Sequence, residues 1–289
     1  MAGVIVLALA VVPLAVVGLA LRLPRSPGSF DDPLGEAAST ARWRVIGTAV
    51  GVTTSGLLLF WDPVGRGPML AAPAFSLSLL MGILLGESRI SAPAGRTRTA
   101  SLEVRRLTNY LPRRLTSWVA IALGYLVLLL AITTVIGSSD DVGRAGRALV
   151  LTCGSDLTQS RGPWPGSFYS IPLLVAVLGG LVAAGMALRG IVQRPREGVD
   201  QADDDQRRAR SVHDVIAGLG VLIAVPLAGV TTLSAMALSG LSCRPPAWTA
   251  LFAVVSLSIP LVCGLVLWCV GALLAPRAAL GADREALLK

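Results

Sequence analysis

The chain has 289 residues, 54% of them apolar and 15% charged, with a formal net charge of +8. Globular domains carry about 25% charged residues, so this balance excludes an ordinary water-soluble domain and points to the membrane class. The positive excess requires no nucleic acid, because basic loops beside spans are what anionic lipid and the insertion machinery favour.

Every Asp, Glu, Arg and Lys falls between seven uncharged runs or at the chain ends. The first run, Ala2 to Leu21, is followed by Arg22 and Arg25 instead of being preceded by basic residues, which marks an uncleaved anchor with its N-terminus outside. Gly18 and Ala20 are the small residues that cleavage as a secretory signal would use, and cleavage would leave six spans. Asp32 and Pro33 signal a helix start, so Leu34 to Arg44 is expected to run as a helix into the second run, Val45 to Trp61. The third run is Gly67 to Gly86. After it, Val104, Leu107 and Leu111 share one helical face while Arg105, Arg106, Arg113 and Arg114 supply charge, which predicts an interfacial helix on the inner leaflet.

The fourth run, Leu115 to Ser139, leads into a long connection. That connection begins with Asp140 and Asp141, continues through an expected short helix over Val142 to Thr152, and ends in the aromatic stretch Gly162 to Tyr169. The fifth run, Gly162 to Leu188, is followed by an expected solvated linker, Gln193 to Ser211, with Asp203, Asp204 and Asp205 beside Arg207, Arg208 and Arg210. The last two runs are Val215 to Cys243 and Pro245 to Pro276.

The expected fold is thus an all-α integral membrane protein, a bundle of seven transmembrane helices in one polytopic domain, residues 1–289. The spans are 2–21, 45–61, 67–86, 115–137, 168–188, 215–238 and 248–274. Alternate connections carry twenty basic residues on one side and five on the other, which by the positive-inside rule places the N-terminus outside and the C-terminus in the cytoplasm. Trp43, Trp61, Trp118, Trp164 and Trp248 lie at or near span ends, where indole rings prefer the headgroup boundary.

In this topology Cys153 and Cys243 occupy outer connections, where a disulfide is favoured slightly over two free thiols, while Cys263 and Cys269 are expected to pack as small apolar residues within the last span. Trp164, Phe168 and Tyr169 make the outer connection the candidate binding loop, with a headgroup belt as the plainer reading. The hydroxyls of Thr53, Thr54, Thr133, Thr134, Thr231 and Thr232 either line a polar path or bond within and between helices, and the second is the commoner use. Gly47, Gly51 and Ser55 form one stripe of small residues, and Gly220, Ala224, Ala228 and Thr232 another, so the second and sixth spans are expected in the bundle interior or at a subunit contact. Pro13, Pro226 and Pro260 should bend their helices. The lone His213 beside Asp214 is expected to be a solvated interface residue. With no phosphate loop, paired-His motif or nucleophile signature, no catalytic, cofactor or metal site is expected.

The segments Arg98 to Leu102 and Tyr110 to Arg113, then Asp140-Asp141, Gly143 to Arg147 and Gly162 to Ser170, resemble uncharacterised multi-pass membrane proteins of actinobacteria. The resemblance covers the central third of the chain and implies a bacterial cytoplasmic membrane, consistent with a basic complement in which only Lys289 is a lysine. It implies no activity. The expected partners are the bilayer, anionic lipid at the Arg-rich cytoplasmic loops and another membrane protein, for which this chain would be a scaffold, assembly or regulatory partner. The alternative is a small-solute transporter or channel without charges in its spans.

Overall fold

Six helices and one hairpin make up residues 33–61, 65–88, 107–153, 157–193 and 201–274, the part of the chain described by a computed structural model. The helices are α1 (Pro33–Trp61), α2 (Arg66–Ser88), α3 (Arg113–Ile136), α4 (Ser167–Gln193), α5 (Gln201–Ser239) and α6 (Pro246–Leu274). Each contains a stretch long and apolar enough to cross a membrane, so the architecture is that of a multi-pass membrane protein. The expected first span, 2–21, with Pro13, lies outside the described residues.

α5 is the axis of the bundle. Its apolar stretch is 72% buried, against 22% for α1 and 17% for α6, because it packs on α2, α3, α4 and α6 together. The stripe beginning at Gly220 makes this possible: a Cβ there would collide with Cys269 of α6 and lie 3.1 Å from Val119 of α3. α1 is tied closely to α2, where Gly47 meets Gly82 so tightly that a Cβ on Gly47 would stand 3.0 Å from the Gly82 Cα. Ser55 adds a hydrogen bond of 2.5 Å to the Ala71 carbonyl. The small-residue stripe thus gives a close approach, and among the described residues α2 is the one extensive neighbour of α1, so α1 lies at the edge of that part of the bundle and not in its interior, the other place expected for it being a subunit contact.

Three local expectations are corrected. The stretch from Val142 to Thr152 is not a helix: Gly143 and Gly146 adopt positive φ, which a right-handed helix does not admit, and the chain then alternates as a strand, with Leu149 buried and Val150 exposed. β1 (Leu149–Cys153) pairs antiparallel with β2 (Leu157–Arg161), Leu149 opposite Arg161. The linker expected over Gln193 to Ser211 is helical from Gln201 onward, so α5 starts well before Val215. Of the expected interfacial helix, residues 101–106 lie outside the described ones, and Leu107–Asn109 form a single 3-10 turn whose Leu107, Tyr110 and Leu111 pack on the protein core. Pro226 and Pro260 fall inside helices as expected, and so do Pro73 and Pro172.

Candidate functional site

The connections that follow α1, α3 and α5 gather at one end of the bundle. There the α3–α4 connection folds into a cap, fastened to the α5–α6 turn by Arg161 Nε donating to the Gly240 carbonyl at 2.9 Å and by the Ser242 amide donating to Gln159 Oε1 at 3.0 Å. Cys243 in that turn is disulfide-bonded, whereas Cys263 and Cys269 are free. Its expected partner, Cys153, closes β1, and its side chain lies outside the described ones.

Trp164 is the plug of the cap. It is completely buried and donates its indole N–H to the Thr133 carbonyl at 2.8 Å, packing with Leu149, Leu238 and Leu241. Thr133 Oγ1 returns a hydrogen bond of 2.8 Å to the Pro165 carbonyl, and Thr134 Oγ1 donates to Ser170 Oγ at 2.9 Å. Trp164 is therefore packed inside the cap, whereas both sequence readings, binding loop and headgroup belt, leave it at the surface. Burial is tolerated because its N–H and the Thr133 carbonyl, in the last turn of α3, satisfy each other.

Phe168 and Tyr169 are drawn into a basic cluster. Pro172 has no N–H to offer the Phe168 carbonyl four residues earlier, and Arg66 Nε donates to that carbonyl at 3.1 Å. The same guanidinium lies 3.6 Å from the centre of the Phe168 ring, and that of Arg147 lies 5.7 Å from it. Arg147 Nε donates to the Tyr169 hydroxyl at 3.3 Å and its Nη1 to Asp140 at 3.0 Å. Asp140 also receives Arg144 Nε at 2.7 Å and the amides of Arg144 and Val142. Desolvation opposes the Asp140 charge, but these amides and guanidiniums outweigh it and hold the carboxyl well below the usual range. The Arg147 guanidinium is pushed above its ordinary value by the bond to Tyr169, against desolvation and with help from Asp140.

Beneath this cluster lies a cavity of about 630 Å3 between α2, α4 and α5. Arg147, Tyr169 and Gly65 line its cap end, and Met69, Ala72, Val225 and Pro226 line its depth. Thr232 also lines it. The other predicted hydroxyls of the spans are engaged elsewhere: Thr53 bonds to the Ala49 carbonyl, Thr54 to Val50, and Thr231 to Leu227, each at 2.9 Å. Ser76 and Ser234, also among the span hydroxyls marked in the sequence, are buried with no hydrogen-bond partner.

At the opposite end the acidic residues of α5 act as anchors. Arg208, fully buried, pairs with Asp204 at 2.9 Å and donates to the last-turn carbonyl of Ile191 in α4 at 2.6 Å. A cation placed there also complements the negative end of the α4 dipole. Asp205 accepts a hydrogen bond of 2.8 Å from the Tyr110 hydroxyl, and Asp214 pairs with Arg44 of α1. Of the acidic cluster expected to be solvated, Asp204 pairs within α5 with the buried Arg208 and Asp205 ties α5 to Tyr110, while Asp214, outside that cluster, ties α5 to α1. No group of three or more His, Cys, Asp or Glu able to hold a metal occurs among the described residues. Compared with known protein families, with curated proteins and with solved structures, the chain matches none.

Proposed function

We propose that the chain is a seven-span protein of a bacterial cytoplasmic membrane, related to the actinobacterial proteins it resembles, that serves as a scaffold, assembly or regulatory partner of another membrane protein. The observation that carries this reading is how the polar groups are used. The span hydroxyls of Thr53, Thr54, Thr133 and Thr231 bond to their own helices or to the cap, and the ionisable residues sit at the ends in ties between elements. A frame of this kind holds shape without the intramembrane charges that ion-coupled carriers use. Its apolar outer faces, such as Ile121, Leu128 and Val135 of α3 or Leu257, Leu261 and Leu267 of α6, are exposed to lipid or to a partner helix.

The cap faces outside and the C-terminus lies in the cytoplasm. The twenty-to-five split of basic residues supports this orientation. So does the disulfide at Cys243 in the cap-side turn, because such bonds persist in oxidising compartments. Membrane-impermeant labelling of cysteines introduced at Asp141 and at Arg98 in intact cells should mark the first and spare the second, and the reverse pattern overturns the orientation. Crosslinking before extraction from native membranes should recover a stoichiometric membrane partner. A second reading, a carrier or channel for small solutes, is favoured by the cavity at Thr232. Solute flux in proteoliposomes that collapses in Thr232→Val, with no partner recovered, would replace the first reading by the second.

A further inference from the structure

We infer that the cavity beneath the cap binds a neutral, lipid-soluble alcohol, with its hydroxyl at Thr232 and its chain running deeper between α2 and α5. The wall is mainly apolar, from Pro68, Met69, Ala72, Val225 and Pro226, with a hydroxyl set into it at Thr232. At about 1.5 Å per helical residue Val225 lies roughly 10 Å further from the capped end of α5 than Thr232, so a chain that starts at the hydroxyl continues over apolar side chains. Below the cavity α2 and α5 close on each other: a Cβ on Gly218 would stand 3.5 Å from Leu80 and 3.8 Å from Leu79. The gap between these two helices therefore ends inside the bundle, which suits holding a molecule of limited length.

The Thr232 hydroxyl is available to a ligand. Thr48, Thr53 and Thr54 each donate back to the carbonyl four residues earlier at 2.9 Å, a common use of such a side chain within a helix. For Thr232 that carbonyl is Ala228, which already accepts Thr231 Oγ1 at 3.0 Å. Thr232 itself is exposed on the cavity wall and makes no side-chain hydrogen bond among the described residues. On the α2 wall Pro73 has no N–H to offer the Met69 carbonyl four residues earlier. A hydroxyl head supplies an acceptor for the first group and a donor for the second, whereas a hydrocarbon supplies neither. An ionic head meets no spare countercharge at the rim, because Arg144 and Arg147 both hold Asp140 and Arg147 also donates to Tyr169. The volume of about 630 Å3 falls within the range of ligand sites. Gly229, on the α5 wall, faces open space, for a Cβ built on it meets nothing within 4 Å. The inference requires that the helices cross a bilayer and does not depend on the scaffold reading or on which side the cap faces.

The full chain in phosphatidylcholine nanodiscs would be photolabelled with a diazirine-bearing decanol, and the labelled peptides located by mass spectrometry. Decanol, decane and decanoate, which share a chain and differ in the head, would compete at matched concentrations in the bilayer. Saturable labelling of the α2 and α5 segments that line the cavity is expected, with decanol protecting about fivefold better than decane or decanoate, the factor that goes with one neutral hydrogen bond. Thr232→Val keeps the shape of the side chain and should make decanol and decane equal. Gly229→Leu places a helix-favouring side chain in the open space and should abolish labelling. Equal protection by decanol and decane in the wild type, better protection by decanoate, an unchanged preference in Thr232→Val, or wild-type labelling in Gly229→Leu overturns the proposal. The preference for decanol over decane is read within each protein, so a looser fold, which weakens both competitors alike, does not imitate loss of the hydroxyl. Whether a partner protein is recovered from native membranes is a separate readout, and failure of the labelling leaves the scaffold reading standing.

Discussion

At the capped end of the bundle Trp164 is buried by giving its N–H to the Thr133 carbonyl, whereas at the opposite end Arg208 is buried by holding Asp204 and the Ile191 carbonyl. The first arrangement joins neutral groups within one contiguous stretch of chain and adds a disulfide at Cys243. The second joins charges, and its partners arrive from α4 and α5. Neutral hydrogen bonds tolerate imperfect burial at modest cost, but a buried ion that loses its partner faces the full penalty of desolvation. The two ends should therefore fail differently, the charged one sharply and the capped one by degrees.

The largest effect is expected at Arg208. Arg208→Met leaves Asp204 buried without its cation and the α4 carbonyls without their donor, at a cost of about 3–5 kcal/mol, read as a fall in thermal midpoint in detergent. Adding Asp204→Asn should restore much of the loss, and failure to do so would show that the guanidinium matters for packing and not for charge. Next comes the disulfide: Cys243→Ser should cost about 2–4 kcal/mol, and the same drop should follow treatment of the wild type with reductant but not of the variant. Smaller again is Trp164→Phe, which keeps most of the apolar plug and removes the indole N–H. Leaving the Thr133 carbonyl without that donor should cost roughly 1–3 kcal/mol, whereas Trp164→Ala should cost more by opening a cavity. If Trp164→Phe is silent, the cap is held by packing alone.

The sequence makes one kind of information visible and hides another. The uncharged runs locate the six described helices because a bilayer penalises charge in its interior wherever the partners lie, and Pro33 marks the start of α1 through its own fixed φ. The spacing of Gly47, Gly51 and Ser55 likewise foretells a close helix crossing, since it depends only on the size of those residues. The role of Arg208 is not legible in this way. Among Asp203, Asp204, Asp205, Arg207 and Arg210 it looks like one more solvated charge, and only the arrival of the α4 C-terminus makes it a buried cap. The hairpin carried a local signal that was available: Leu149 to Thr152 and Leu157 to Ser160 flank Gly154-Ser155-Asp156, residue types that favour a turn. Trp164 shows the limit of reading aromatics, because a loop Trp between two prolines fits either an exposed anchor or a plug until the carbonyl that accepts its N–H is known.

The finest test of the contrast between the ends uses pH at Asp140, a charge that belongs to the capped end. Its folded-state pKa is depressed from the model-compound value of 3.8, so the stabilisation from ionised Asp140 is fully present above that value and is lost as pH falls through the lower folded one. Asp140→Asn removes the charge at every pH. The difference in thermal midpoint between wild type and Asp140→Asn should therefore be constant from neutral pH down to about 5 and should shrink only below 3.8. A difference that instead closes between pH 7 and 5 would mean that the carboxyl is raised by burial, and that Arg144 and Arg147 do not hold it. Because every other carboxylate titrates in both proteins, the subtraction isolates this one group.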